Sequence, residues 1–89
     1  MTEFLLEVYV SPGDSGSAEL DVARARAAAE QLTREGTPIR YVRSIFVPEE
    51  ETCFHMYEAA SPEAVRAAAS LAALRPDHVV EAITEPRGA

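Results

Sequence analysis

The feature that most narrows what this chain can fold into is the order in which its hydrophobic period switches between two and 3.6. Phe4, Leu6, Val8 and Val10 alternate with Leu5, Glu7 and Tyr9, which predicts a strand over about residues 3–10. "SPGDSGS" (11–17) is dense in turn residues and reads as a loop. Ser17 then caps a helix whose first turn holds Glu19 and Asp21, with Leu20, Ala23, Ala27, Ala28 and Leu32 as its apolar stripe. Gly36 suits the residue just past the helix end, and Pro38 blocks continuation. "PIRYVRSIFV" (38–47), rich in β-branched and aromatic types, reads as a second strand, "PEEE" (48–51) as a charged hairpin turn, and residues 52–58 as a third strand. Ser61 and Pro62 start a second helix as N-cap and first helical residue. Its apolar face is Ala64, Val65, Ala68, Leu71 and Ala72, and it ends near Leu74 because Pro76 lies ahead. "DHVVEAIT" (77–84) is the last strand and residues 85–89 are a polar tail.

The order is therefore βαββαβ, the split βαβ or ferredoxin-like arrangement. It predicts one α+β domain over 1–89: a four-stranded antiparallel sheet in the order 4-1-3-2, with both helices on one face and right-handed crossovers. One face of the sheet is then left open.

Eighty-nine residues bury a modest share of their surface, so stability is thin without a staple or a partner. The lone Cys53 excludes an internal disulfide and a CxxC metal knuckle, which leaves oligomerisation as the usual remedy. Fifteen acids oppose eight arginines, with no lysine, for a net charge of −7. Such a surface repels phosphate and argues against binding nucleic acid or an anionic membrane. No apolar run approaches the roughly 18 residues of a membrane span. "MTEFLLEVYV" lacks a basic region and a small-residue cleavage site, so a cytoplasmic protein is expected. Apolar content of 47% argues against disorder.

Alternation assigns the faces. Phe4, Leu6, Val8 and Val10 should face the helices, and Leu5, Glu7 and Tyr9 the open side. In the third strand Phe54 and Met56 suit the helix side, leaving Cys53, His55 and Tyr57 open. In the second, Val42, Ser44 and Phe46 go inward and Tyr41, Arg43 and Ile45 outward; in the last, Val80 and Ala82 inward and Val79, Glu81 and Ile83 outward. A one-residue slip would reverse any of these. The open face would then be apolar at its margins with Glu7, Arg43, His55 and Glu81 near its middle. A face so apolar predicts a homodimer packed sheet against sheet, enclosing a cavity for a small ligand or metal ion.

His55 with Glu7 and Glu81 is the sharpest metal constellation, and His78 could join it across a dimer. Imidazole and carboxylates suit nickel, zinc, copper or ferrous iron. The plainer alternative is that His55 donates a hydrogen bond to Glu7 or fills an interface. Tyr9, Tyr41, Arg43, Cys53 and Tyr57 would line the pocket, with Arg43 able to hold an anionic group. Structural readings compete here too: an ion pair for Arg43, a small buried hydrophobe for Cys53, interface packing for the tyrosines, and an ordinary surface histidine for His78. No catalytic triad order, phosphate-binding glycine loop or HExxH motif is present.

"FLLEVYV" with Glu7, "RYVRSIFV" with Ser44, "FHMYEAASPEAVRAAA" and "RPDHVVEAI", together about residues 3–83, resemble a family of short bacterial ferredoxin-like proteins of unknown function, one branch of which is described as nickel-binding. The family commonly has cysteine where His55 stands here, and histidine in the second helix where this chain has "AAASLAAL". The resemblance carries over Glu7 most directly, then Tyr57 and Glu58. It implies a small dimeric metal-binding protein without catalysis of its own, with nickel or zinc as the ion and no organic cofactor. The same architecture resembles the dimeric α/β-barrel enzymes, monooxygenases and isomerases. There His55 would act as acid or base, and Arg43 would orient an aromatic or anionic substrate. A third possibility is an assembly partner whose open face only dimerises.

Overall fold

Seven elements follow one another in the computed structural model, which describes residues 1–11, 13 and 15–83. They are β1 (Thr2–Tyr9), α1 (Ser15–Arg34), β2 (Ile39–Val47), a 3-10 turn (Pro48–Glu50), β3 (Thr52–Ala59), α2 (Pro62–Leu71) and β4 (Pro76–Ala82). The sheet order is β2-β3-β1-β4 with every neighbouring pair antiparallel. This is the expected ferredoxin-like α+β fold. Thr84, the end of the predicted last strand, and the tail 85–89 lie outside the described residues. Among the described residues no helix is long and apolar enough to cross a membrane.

Local chemistry explains the ends of the helices. Ser61 caps α2 by accepting the Ala64 N–H at 3.3 Å, with Pro62 behind it. α1 closes on Gly36 at φ 103°, where the Gly36 N–H donates to Thr33 O and the Thr37 N–H to Leu32 O. Thr33 then ties the last turn of α1 to β2: its hydroxyl donates to the Ile39 carbonyl at 2.7 Å and accepts from the Ile39 N–H at 3.1 Å.

One core lies between sheet and helices. Phe4, Leu6 and Val8 of β1 meet Ile39, Tyr41, Tyr57 and Ala59, under Ala25, Ala28 and Ala29 of α1 and Val65, Ala68 and Ala69 of α2. The inward set of β1 is the expected one. The buried face of α1 is not: it runs through Ala18, Asp21, Ala25, Ala28 and Ala29, flanked by Val22 and Leu32, while Leu20, Ala23 and Ala27 are exposed. The helix begins two residues earlier than Ser17, and a helix this rich in alanine carries several faces of similar hydropathy. In α2, Leu71 is exposed, and Leu74, beyond the helix, is buried.

Three strand registers correct the predicted faces. In β3, Cys53, His55, Tyr57 and Ala59 face the helices and Phe54 and Met56 the open side, because Leu6 pairs with His55 and Val8 with Cys53. Both parities of "TCFHMYEA" are apolar enough to be buried, and pairing with β1 decides between them. In β2 a bulge sets Val42 and Arg43 against Met56, so Tyr41 faces inward while Ser44 and Phe46 also face inward. In β4, Val79 pairs with Leu6 and packs on the core, whereas Val80 pairs with Leu5 on the open face.

Candidate functional site

Two sets of chemically capable side chains result, one on each face of the sheet. The inner set centres on His55, which is fully buried. Its Nδ1 shares a 2.6 Å hydrogen bond with the Tyr41 hydroxyl. Tyr41 also meets the Tyr57 ring edge to face, with centroids 5.2 Å apart. The bulge at Val42 makes this cluster, since it alone turns Tyr41 toward β3's inner side chains. Ser44 pairs with His55 in register, and Asp21 is buried on the facing helix, where it is bonded to Arg24. His55 Nε2 and the Tyr57 hydroxyl have no hydrogen-bond partner among the described residues.

Burial dominates the electrostatics of this cluster. It pushes the Tyr41 phenol up to about 12 and the Tyr57 phenol higher still, so both stay neutral. It pulls the His55 imidazole below its usual value, opposed in part by the charge of Asp21. It pushes the Cys53 thiol up, and Asp21 adds to that shift. Cys53 is therefore an unreactive thiol, packed with Val10, Ala18 and Phe46 at the margin of the core.

The outer set lies on the face the helices leave uncovered. Glu7 of β1 and His78 of β4 are directly paired there. Facing residues are close neighbours, so a carboxylate and an imidazole stand side by side. Around them are Leu5, Phe54, Met56 and Val80, with Ile45 and Tyr9 toward the margins; Tyr9 is 57% and Val80 42% exposed. Arg43 is exposed on this face opposite Met56.

The predicted open-face constellation is thus divided. Glu7, Tyr9 and Arg43 are on the open face, as expected, and His78 joins Glu7 there. His55, Cys53, Tyr57 and Tyr41 are on the inner face, for the register and bulge reasons above. Glu81 pairs with Phe4 and so has the helix-side parity, at the exposed edge of the sheet. Among the described residues no group of three or more His, Cys, Asp or Glu side chains is placed to hold a metal ion. Sequence reasoning passed over Asp21 as a buried group. Its only signal was its spacing from Ala18, Ala25 and Ala28 along one helix face.

The comparisons agree on the architecture. The crystal structure of SCO4226 from Streptomyces coelicolor A3(2) matches with a TM-score of 0.70 and 16% identity, covering 94% of this chain and 99% of that one. At that identity the likeness shows the fold alone. No curated protein matches the chain. The family model described as nickel responsive protein SCO4226-like matches residues 7–82, from Glu7 in β1 to Ala82 at the end of β4, and by that match the chain belongs to the SCO4226-like family.

Proposed function

We propose that the protein is a small nickel-binding homodimer without catalysis of its own, holding the metal on the open face of its sheet. The observation that carries this reading is the direct pairing of Glu7 with His78 on that face, in a chain of a family described as nickel responsive. Imidazole and carboxylate are suitable donors for nickel or zinc. One chain supplies two of them, which is too few for a closed site. A second copy, related by a twofold axis and packed sheet to sheet, would double the set with the same two residues. That packing would also cover Leu5, Phe54, Met56 and Val80, an apolar surface a monomer would leave in water.

Within this reading Glu7 contributes charge and His78 a neutral imidazole. Protons compete with the metal for both donors, so binding weakens in acid. Titration calorimetry with Ni²⁺ tests the proposal. One ion per two chains is expected, with binding lost in both Glu7→Gln and His78→Ala. Met56→Glu should give a monomer that has also lost the metal. Binding by His78→Ala as tight as by the parent chain would refute the assignment.

A further inference from the structure

On the other side of the sheet from Glu7 and His78, a cleft of about 540 Å³ opens between the second half of α1 and the start of β2. Its origin is the composition of the helix. α1 turns Ala25, Ala28 and Ala29 toward the sheet, and these short side chains leave the margin above Ile39 and Tyr41 unfilled. Ala29, Pro38 and Ile39 make the lining apolar.

The rim has the opposite character. Arg26, Arg34 and Arg40, three of the eight arginines in a chain of net charge −7, all line this cleft. Arg40 is occupied by Glu58 at 2.9 Å. Arg26 lies over the Tyr41 ring, 4.9 Å from its centre, and has no ion pair among the described residues. Arg34 likewise has none. Glu30 is the one carboxylate among the described lining residues, and it offsets one of these two charges. The cleft is therefore an apolar cavity with a net positive rim on a protein whose surface otherwise repels anions. Its size is within the roughly 300–1,000 Å³ range of small-molecule sites.

We propose that this cleft binds a small molecule with an apolar body and a single carboxylate. Ala29, Pro38 and Ile39 take the body, and the guanidinium groups of Arg34 and Arg26 take the carboxylate, for which the planar fork of arginine is suited. The site is independent of the nickel reading, because it shares no residue with the open face. Tyr41 links it to the interior: the ring borders the cleft while its hydroxyl is bonded to His55. A bound ligand therefore touches the support of the buried imidazole.

The test is titration of the full chain with octanoate, octanol and octylammonium, followed by amide NMR. Octanoate is expected to shift the amides of Ala29, Thr33, Ile39 and Tyr41, and to bind about tenfold or more tighter than the other two. Arg34→Glu, an exposed change that leaves the fold intact, should weaken octanoate by at least about tenfold, and Arg26→Gln by a smaller factor. Equal binding of octanoate and octanol, indifference to Arg34→Glu, or shifts confined to Leu5, Phe54 and Met56 would each overturn the proposal.

Discussion

His55 and His78 stand on opposite faces of one sheet, with β1 between their strands, and they differ in almost every physical respect. His55 is sealed under α1, held at Nδ1 by Tyr41 and kept neutral by burial. His78 is exposed beside a carboxylate, among apolar side chains that the described residues leave partly uncovered. The first imidazole is part of what keeps the domain folded. The second is open to solvent and to a ligand. A histidine in a strand is thus defined by the face it takes, and the face is set by pairing rather than by the residue's own polarity.

The contrast predicts a hierarchy of effects. Removing the inner ring should matter most: His55→Ala leaves a cavity and takes away the 2.6 Å partner of the Tyr41 hydroxyl, and is expected to cost about 3 kcal/mol, read from urea unfolding. His78→Ala should stay within about 0.5 kcal/mol. Comparable losses from the two would erase the distinction between the faces.

Acid should separate them next. Because burial lowers the His55 pKa in the folded state, the unfolded chain binds the extra proton first as pH falls. The stability His55 contributes is fully present above about pH 6.5 and is lost progressively below it, toward the lower folded-state value. Urea midpoints measured between pH 7.5 and 5 should fall, and the slope should be flatter in His55→Gln. An unchanged slope in that variant would assign the acid sensitivity to the carboxylates instead.

The last comparison lies within the inner cluster, between its two tyrosines. Tyr41→Phe deprives a buried imidazole of its partner and should cost about 1–2 kcal/mol. Tyr57→Phe removes a buried hydroxyl that has no hydrogen-bond partner among the described residues, and should be neutral within about 0.5 kcal/mol or stabilising. If Tyr57→Phe proved the more damaging of the pair, the account of how the imidazole is held would need revision.

Much of this architecture could be read from the chain. The succession of periods gave the fold, the pair Ser61 and Pro62 marked a helix start to the residue, and β1, with Glu7 between apolar neighbours, was unambiguous about its faces. The limits had physical causes. β3 is apolar at both parities, so hydropathy alone ranked Phe54 and Met56 above His55 for the interior. That ranking ignored the hydrogen bond with Tyr41 that makes a buried imidazole acceptable. Nor could the sequence show which of several alanine faces α1 would bury. Half of the open-face pair was legible in Glu7, while the pairing of His78 with it follows from the register of β4 on β1, which a strand apolar at both parities does not reveal.

The bulge at Val42 has a consequence for how this chain can change. It is an extra residue in the ladder, and it alone reconciles Tyr41 inside with Arg43 outside. Replacing its half-buried side chain alters one modest contact. Deleting the residue would leave Tyr41 against Tyr57 and Arg43 against Met56 in unbroken alternation, so the side chains of β2 would keep their faces. At this point the chain can lose a letter and keep its sense, whereas one lost elsewhere in β2 would turn part of the strand over.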